Sequence, residues 1–224
     1  MIYQSLMKNI NRYIEHTILK ANTSQKEIEK TIQEGLDNKF IGVCVPPFWV
    51  KAARNWIGDA DLQLVTVAGF PFGYNMSDIK TAEIRQAIED GADEVDIVWN
   101  LSAFKSGMSW VKVDIIQCAE LLHDEQKILK VIIETAYLTD QEIQLACNIC
   151  KDAGADFVKT STGFAHDGAK IEHIKLMRSV LPSHVGIKAA GGIRDYNTAV
   201  EMIKAGADRL GTSSGIKILE KLEF

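Results

Sequence analysis

Short apolar segments rich in β-branched residues alternate with longer amphipathic segments along almost the whole chain. The short segments predict eight β-strands, and the helical periodicity between nearly all of them predicts connecting α-helices. Ser24 with Glu27, and Thr139 with Glu142, have the spacing of a capping box, so we expect a helix to begin at each pair. The predicted strands are residues 16–19, 40–45, 63–68, 94–99, 129–134, 157–160, 185–189 and 209–211.

The alternation of strands and helices predicts a parallel sheet. Eight strands within 224 residues predict an α/β fold of the TIM (β/α)8 barrel type, and the lack of a linker predicts a single domain over residues 1–224. An open doubly wound sheet is the alternative. That fold usually carries a G-x-G-x-x-G turn after its first strand, and no such turn follows the early strands of this sequence.

A Gly-Ala-Asp repeat strengthens the barrel interpretation. The three copies are residues 91–93, 154–156 and 206–208. Each copy follows a helical segment, where glycine can end the helix with a positive φ, and each precedes a strand. Alignment of the copies makes Asp96, Lys159 and Gly211 equivalent, and the alternation of side chains along a strand predicts that all three point inward. The residues just before them should pack beneath the helices: Val95, Val158 and Leu210.

The inward positions near the strand ends predict a reactive lysine. TIM barrels carry their chemistry at the C-terminal ends of the strands, so Asp96, Lys159 and Lys188 can meet in one pocket. A lysine nucleophile must be neutral, and a second ammonium or partial burial disfavours its charge. Asp96 could then carry protons. The alternative is that Lys159 is an exposed lysine at a strand end, but Phe157 and Val158 before it are too apolar for a typical exposed edge.

A phosphate site is predicted in the last third of the chain. Gly191 and Gly192 follow Lys188, and the segment 213–215, Ser-Ser-Gly, follows the last strand. Backbone N–H groups of glycine-rich turns bind anions, and TIM barrels often bind phosphate with the loops after strands 7 and 8. These glycines could instead only turn the chain. The two segments together favour phosphate.

Charge and composition exclude several classes of partner. The net charge of −5 argues against a nucleic-acid binder, and an anionic ligand would need a local concentration of donors. No segment approaches the roughly 20 apolar residues of a membrane span, so no membrane partner is expected. The first 15 residues lack the apolar core of a secretion signal, which predicts a cytoplasmic protein.

The cysteines and histidines predict no metal site. Cys147 and Cys150 form a C-x-x-C late in a helical segment, where two small buried residues are the better interpretation. The five histidines lack metal-ligand spacing, so no metal is expected. Cys44 is either a reactive thiol near the barrel mouth or a small core residue. Glu134 ends a strand and either orders the lysines or braces the pocket.

Several motifs in order resemble the deoxyribose-phosphate aldolase family. The segment 159–164, Lys-Thr-Ser-Thr-Gly-Phe, resembles the Schiff-base signature of that family. The segment 188–194 resembles its second-lysine motif, and the segment 92–96 resembles the one with its proton-shuttling aspartate. Supporting matches extend from about residue 13 to residue 215. Three positions depart from the family pattern: Glu15 in place of aspartate, Pro46, and Ala68.

The resemblance implies a metal-independent class I aldolase without a cofactor. Such an enzyme reversibly cleaves the phosphosugar 2-deoxy-D-ribose 5-phosphate to D-glyceraldehyde 3-phosphate and acetaldehyde. Lys159 would form the imine, while Asp96 and Lys188 would relay protons. Glu15 would lie at a substrate-side position. The residues implied in substrate and phosphate binding are Thr17, Thr162, Gly163, Gly191, Gly192, Ser213 and Ser214.

Two rival functions and one structural question stay open. A different phosphosugar barrel enzyme, such as another lysine aldolase or an isomerase, would share the phosphate site, although an isomerase would not need two inward lysines. A non-enzymatic phosphosugar sensor would have no reason to keep Lys159, Lys188 and Asp96 together. The sequence leaves the oligomeric state open, with a homodimer as the assembly considered.

Overall fold

In the computed structural model, which describes residues 9–220, eight parallel strands pair in chain order and β8 pairs with β1. The sheet is therefore a closed barrel, which confirms the predicted TIM fold and excludes the open sheet. The strands are β1 Ile14–Thr17, β2 Gly42–Cys44, β3 Gln63–Ala68, β4 Glu94–Val98, β5 Ile128–Ile132, β6 Phe157–Lys159, β7 Gly186–Ala190 and β8 Arg209–Thr212.

Helices cover the outside of the barrel. The two predicted capping boxes are present: Ser24 N donates to Glu27 Oε2 at 2.7 Å, and Thr139 N donates to Glu142 Oε2 at 2.8 Å. None of the described helices is long and apolar enough to cross a membrane. The helices are α1 Gln25–Asp37, α2 Val50–Ile57, α3 Ser77–Glu89, α4 Leu101–Lys105, α5 Trp110–Asp124, α6 Asp140–Asp152, α7 Ile171–Val180, α8 Tyr196–Ala205 and α9 Gly215–Leu219.

The first strand begins earlier than predicted. A short 3-10 turn, Ile10–Tyr13, leads directly into β1, where Ile14 pairs with Leu210 and Glu15 with Gly211. The charged residue at position 15 made the sequence pattern place the start of this strand at residue 16. Its carboxylate is tolerated inside the barrel because lysines on other strands neutralise it.

The Gly-Ala-Asp repeat has a structural role at the N-terminal end of the barrel. Its glycines have φ values of 97°, 88° and 115°, as expected for residues that end a helix. Each aspartate accepts a hydrogen bond at 2.8 Å from the backbone N–H of a residue on the preceding strand. The pairs are Asp93 with Leu64, Asp156 with Leu129, and Asp208 with Ile187. The repeat therefore joins β3 to β4, β5 to β6 and β7 to β8.

The hydrophobic core lies between the strands and the helices, as the repeat predicted. Val95, Val158 and Leu210 are fully buried members of one large apolar cluster. Cys147 and Cys150 belong to the same cluster from α6, and burial raises the thiol pKa of Cys147 to about 12. The C-x-x-C is thus a pair of core residues.

Candidate active site

The three residues predicted to carry chemistry meet inside the barrel. Asp96 Oδ2 accepts hydrogen bonds from Lys159 Nζ at 2.8 Å and from Lys188 Nζ at 2.7 Å. The strand register explains the meeting, because Lys159 on β6 is directly paired with Lys188 on β7. Gly211 leaves the space that Lys188 needs: a Cβ at position 211 would lie 3.1 Å from Lys188 Cε.

A third lysine completes the cluster and was missed in the sequence analysis. Lys130 on β5 is fully buried, and its Nζ lies 3.0 Å from Asp96 Oδ1. Lys130 also forms an ion pair with Glu94, two residues before Asp96 on β4. The period of two along the strands could have found both residues, since Lys130 and Glu94 share the inward face of β5 and β4 with the known members.

Glu15 occupies a different place from the one predicted. It is only 1% exposed, forms an ion pair with Lys188 and lies 3.5 Å from Lys130 Nζ, so it belongs to the interior charge cluster. The substrate-side prediction was therefore wrong. The physical reason is depth: Glu15 and Thr17 share the inward face of β1, but Glu15 lies one layer below Thr17, which lines the cavity.

Opposite charges hold the cluster in its ionised form. Burial opposes the charge on Asp96, but the three surrounding lysines outweigh burial and keep the pKa of that carboxyl well below its ordinary value. Burial likewise opposes the charge on Lys188, yet Asp96 and Glu15 raise its pKa. Lys130 has a raised pKa for the same reason. Two of the three lysines therefore remain ammonium groups near neutral pH.

Lys159 differs from the other two lysines in its access to solvent. A cavity of about 590 Å³ opens at the C-terminal end of the barrel, and Lys159 is the lysine of the cluster that lines it. Lys159 is 3% exposed, whereas Lys130 and Lys188 are 0% exposed. A small molecule in the cavity can therefore reach the amine of Lys159 before the other two.

Six of the seven predicted binding residues line this cavity: Thr17, Thr162, Gly163, Gly191, Gly192 and Ser213. Within residues 9–220, no hydrogen bond uses the backbone N–H of any of the three glycines or of the serine in that group. Free N–H groups around one cavity form a site for an anion. Lys20, Lys30 and Arg194 also line the cavity, where Glu27 and Glu34 offset part of their positive charge.

Ser214 lies apart from the other six. It does not line the cavity, and its backbone N–H donates to Thr212 Oγ1 at 2.9 Å. Ser214 is the residue immediately before α9.

Glu134 and Cys44 have structural surroundings, and neither is placed as a catalytic group. The Glu134 carboxylate binds Thr162 and not the lysines, so of the two interpretations the bracing role fits. Cys44 is fully buried, and burial raises the pKa of its thiol to about 11, which makes it a core residue. Among the described residues, no group of three or more His, Cys, Asp or Glu side chains is arranged to hold a metal ion.

Comparisons with known proteins agree with this geometry. Residues 13–221 match the family described as DeoC/LacD family aldolase. The chain is 47% identical over 215 residues to the deoxyribose-phosphate aldolase of Thermococcus gammatolerans, covering 95% of this chain and 96% of that protein. It is also similar to the solved structure of QR15, an aldolase, with 44% identity, a TM-score of 0.91 and 96% of each chain covered.

A third similar protein has a described assembly. The structure reported as a unique tetrameric deoxyribose phosphate aldolase from Aeropyrum pernix is 29% identical to this chain, with a TM-score of 0.90. The match covers 97% of this chain and 92% of that one.

Proposed function

The chain belongs to the DeoC/LacD family of aldolases, and from this premise we propose that it reversibly cleaves 2-deoxy-D-ribose 5-phosphate to D-glyceraldehyde 3-phosphate and acetaldehyde. The observation that carries the proposal is the position of Lys159. Of three buried lysines around one carboxylate, it is the one that lines the cavity with the free backbone N–H groups.

Lys159 is the proposed nucleophile. Its lone pair attacks the C1 aldehyde of the sugar, and loss of water gives a protonated imine. Removal of the proton from the C3 hydroxyl breaks the C2–C3 bond: C3 becomes the aldehyde carbon of D-glyceraldehyde 3-phosphate, which leaves, and the electron pair of the bond moves into the imine to give an enamine. Protonation at C2 and hydrolysis of the imine then release acetaldehyde and the free lysine.

Asp96 and Lys188 support proton transfer in this proposal. Asp96 Oδ2 accepts hydrogen bonds from Nζ of both lysines, so one carboxylate oxygen links the nucleophile to a proton donor. The buried carboxylate stays ionised because its pKa is depressed by the surrounding lysines. Lys188, which stays protonated, can supply the proton that the departing water requires, through Asp96 or through a water molecule.

Phosphate recognition rests on the other wall of the cavity. Gly163, Gly191, Gly192 and Ser213 each present a backbone N–H that no described group accepts. Arg194 and Lys20 add positive charge at the same wall. A local concentration of donors of this kind is what an anionic ligand needs on a protein with a net charge of −5.

Reductive trapping tests the proposal. The protein is incubated with acetaldehyde and borohydride, digested, and mapped by mass spectrometry. We expect an ethyl group on Lys159 and on no other lysine. In parallel, cleavage of 2-deoxy-D-ribose 5-phosphate is followed by the release of acetaldehyde, before and after exhaustive treatment with EDTA.

The outcomes separate the proposed function from its rivals. A phosphosugar isomerase or a sensor would bind the phosphate without labelling at Lys159, so absence of label with intact phosphosugar binding would refute the aldolase proposal. Loss of cleavage on chelation, restored by zinc, would refute the metal-independent mechanism. Assembly as a homodimer and a cytoplasmic location remain predictions from the sequence.

A further inference from the structure

Glu134 has an unusual backbone at the active end of the barrel. It follows β5 with φ 54° and ψ 68°, in the left-handed region that glycine prefers. Lys39 and Gln126 are the other non-glycine residues with positive φ in the described part of the chain, and both are exposed residues that follow helices. Glu134 is instead 6% exposed, and strain at a buried rim residue persists only where its surroundings enforce it.

The surroundings of Glu134 are the loop that follows the proposed nucleophile. Thr162 N donates to both carboxylate oxygens, at 3.2 and 3.3 Å, and Thr162 Oγ1 donates to Oε2. Thr162 Oγ1 in turn accepts a hydrogen bond from Phe164 N at 3.0 Å. The residues on either side of Gly163 are thus both fixed, directly or indirectly, by one carboxylate.

The neighbours of Glu134 extend this attachment. Ile133 N donates to the carbonyl of Lys159 at 3.0 Å, and Thr135 N donates to the carbonyl of Thr160 at 2.8 Å. Residues 133–135 therefore bind the backbone of three residues between 159 and 162. Gly163, with φ 87°, is left as the residue of this loop whose N–H is free and whose surface lines the phosphate cavity.

Glu134 acts on the cavity through another residue. It lines a neighbouring, more apolar cavity of about 470 Å³ and does not line the one that Lys159 enters. Burial raises the pKa of Glu134, although the hydrogen bonds from Thr162 act in the opposite direction. A buried carboxylate in a strained conformation is a costly way to brace a loop, which indicates that the exact position of the loop matters.

We propose that Glu134 is a positioning residue for phosphate recognition: it holds Thr162 so that the N–H of Gly163 is directed into the phosphate cavity. This inference rests on the proposed function. It assigns the selectivity for a phosphorylated sugar partly to a carboxylate, which could not bind phosphate itself because like charges repel.

Glu134→Gly tests the proposal, because glycine accepts the left-handed backbone and the substitution removes the side chain that binds Thr162. We expect the KM for 2-deoxy-D-ribose 5-phosphate to rise roughly tenfold or more, as for loss of charge-assisted hydrogen bonds. The kcat/KM for unphosphorylated 2-deoxy-D-ribose should change less than about twofold, because that sugar makes no phosphate contact. Glu134→Gln keeps an acceptor for Thr162 N–H and should recover most of the KM.

Gln126→Gly is the matched control. It places glycine at another residue with left-handed backbone, which lies before β5 at the opposite end of the barrel. The kinetic constants for both the phosphorylated and the unphosphorylated sugar should stay unchanged. Urea unfolding of all three variants shows that each is folded. Acetaldehyde trapping at Lys159 shows that the nucleophile is intact.

Two results would overturn the inference. Equal losses for the phosphorylated and unphosphorylated sugars in Glu134→Gly and Glu134→Gln would make Glu134 a general brace. Wild-type kinetics in Glu134→Gly would show that Glu134 has no role in substrate recognition. A failure of the proposed function is distinguishable from both, since wild-type protein would then fail to be labelled at Lys159 or to release acetaldehyde.

Discussion

The barrel lumen has two halves of opposite character. On β2 and β3 the inward side chains are Cys44, Val65 and Val67, which pack with Leu19 and Phe70 into a small apolar cluster. Strands β1 and β4 to β7 direct three acidic and three lysine side chains into the other half. Both halves are almost completely withdrawn from solvent.

The difference shows how a buried charge cluster can be kept for chemistry. Each charge in the polar half lies against an opposite charge, so the desolvation cost of each ion is offset by its partners. The apolar half offers no alternative partner and excludes water from the cluster. The reactive amine lies at the one edge of the cluster that meets the cavity, since Lys159 is slightly exposed while Lys188 is not.

The largest effect is expected for Lys159→Leu, which removes the nucleophile from the polar half. Turnover of 2-deoxy-D-ribose 5-phosphate should fall by roughly four orders of magnitude or more. Trapping with acetaldehyde and borohydride should be abolished at every pH. If the variant is still labelled at Lys188 with full turnover, the two lysines have been assigned the wrong way round.

Lys188→Leu should follow, with turnover reduced by roughly a thousandfold through loss of proton transfer. Asp96 and Glu15 would each lose a buried partner, so the free energy of unfolding should fall by about 3–5 kcal/mol. Trapping at Lys159 should weaken at pH 7, because the neighbouring ammonium that disfavours a positive charge on Lys159 is gone. Trapping should recover in part as the pH rises. Turnover that recovers together with trapping would show that Lys188 has no proton-transfer role.

Ser213→Asp tests the phosphate site in the cavity above the polar half. A new carboxylate in the cavity would repel the phosphate, and kcat/KM for the phosphorylated sugar should fall roughly a hundredfold. Acetaldehyde trapping should be almost unchanged. Ser214→Asp is the comparison, because Ser214 lies outside the cavity and should have a smaller effect. A larger effect at Ser214 would move the phosphate site towards α9.

The buried groups of the polar half should contribute strongly to the pH dependence of stability. The folded pKa values of Asp96 and Glu15 are lowered, so their stabilisation is complete above their unfolded values near about 4 and is lost as the pH falls through the folded values. Those of Lys130 and Lys188 are raised, so their stabilisation is complete below about 10.4 and is lost at higher pH. In urea unfolding, the contribution of these four groups to the free energy of unfolding should therefore be constant between about pH 5 and 10.

A variant of the acidic partner checks this origin. Glu15→Gln should lower the plateau and reduce the acid-side loss, because one of the groups with a lowered pKa no longer titrates. An acid limb identical to that of the wild-type protein would place the pH dependence outside the lumen.

The smallest effect is expected for Cys44→Ala in the apolar half. Turnover should stay within about twofold of wild type, with a modest loss of stability from the lost contact. The native thiol should resist alkylation at pH 8, because it is buried and its pKa is raised to about 11. Rapid alkylation with loss of turnover would show that the apolar half also takes part in the reaction.

The sequence predicted the members of this site that a period-two pattern marks. Asp96 and Lys159 were found because the repeat aligns their strands, and Lys188 because it ends a strand before two glycines. The barrel itself followed from the alternation of strands and helices, and the structure confirms it. These features depend on local sequence, which a single chain reveals.

The missed members depend on contacts between distant strands. Lys130 and Glu15 are separated by more than a hundred residues, and the alternation of side chains along each strand does not indicate that the two lie close together. Only barrel closure brings β1 beside β8 and near β5, so the contact between Glu15 and Lys130 could not be predicted from local sequence. Glu134 was predicted at a strand end with two roles left open, and its left-handed backbone, which directs its carboxylate towards Thr162, could not be predicted from the local pattern.

The aspartate clamps at the lower end of the barrel have a consequence for rearranging the chain. Asp93, Asp156 and Asp208 join the strands in pairs, and the link between β4 and β5 crosses no clamp. The turn between α4 and α5 around Gly107 is exposed and has open space about it. At the other side, α9 packs against the turn Ile10–Tyr13, so the described ends lie together. A circular permutant opened at Gly107 would therefore keep every clamped strand pair covalently continuous.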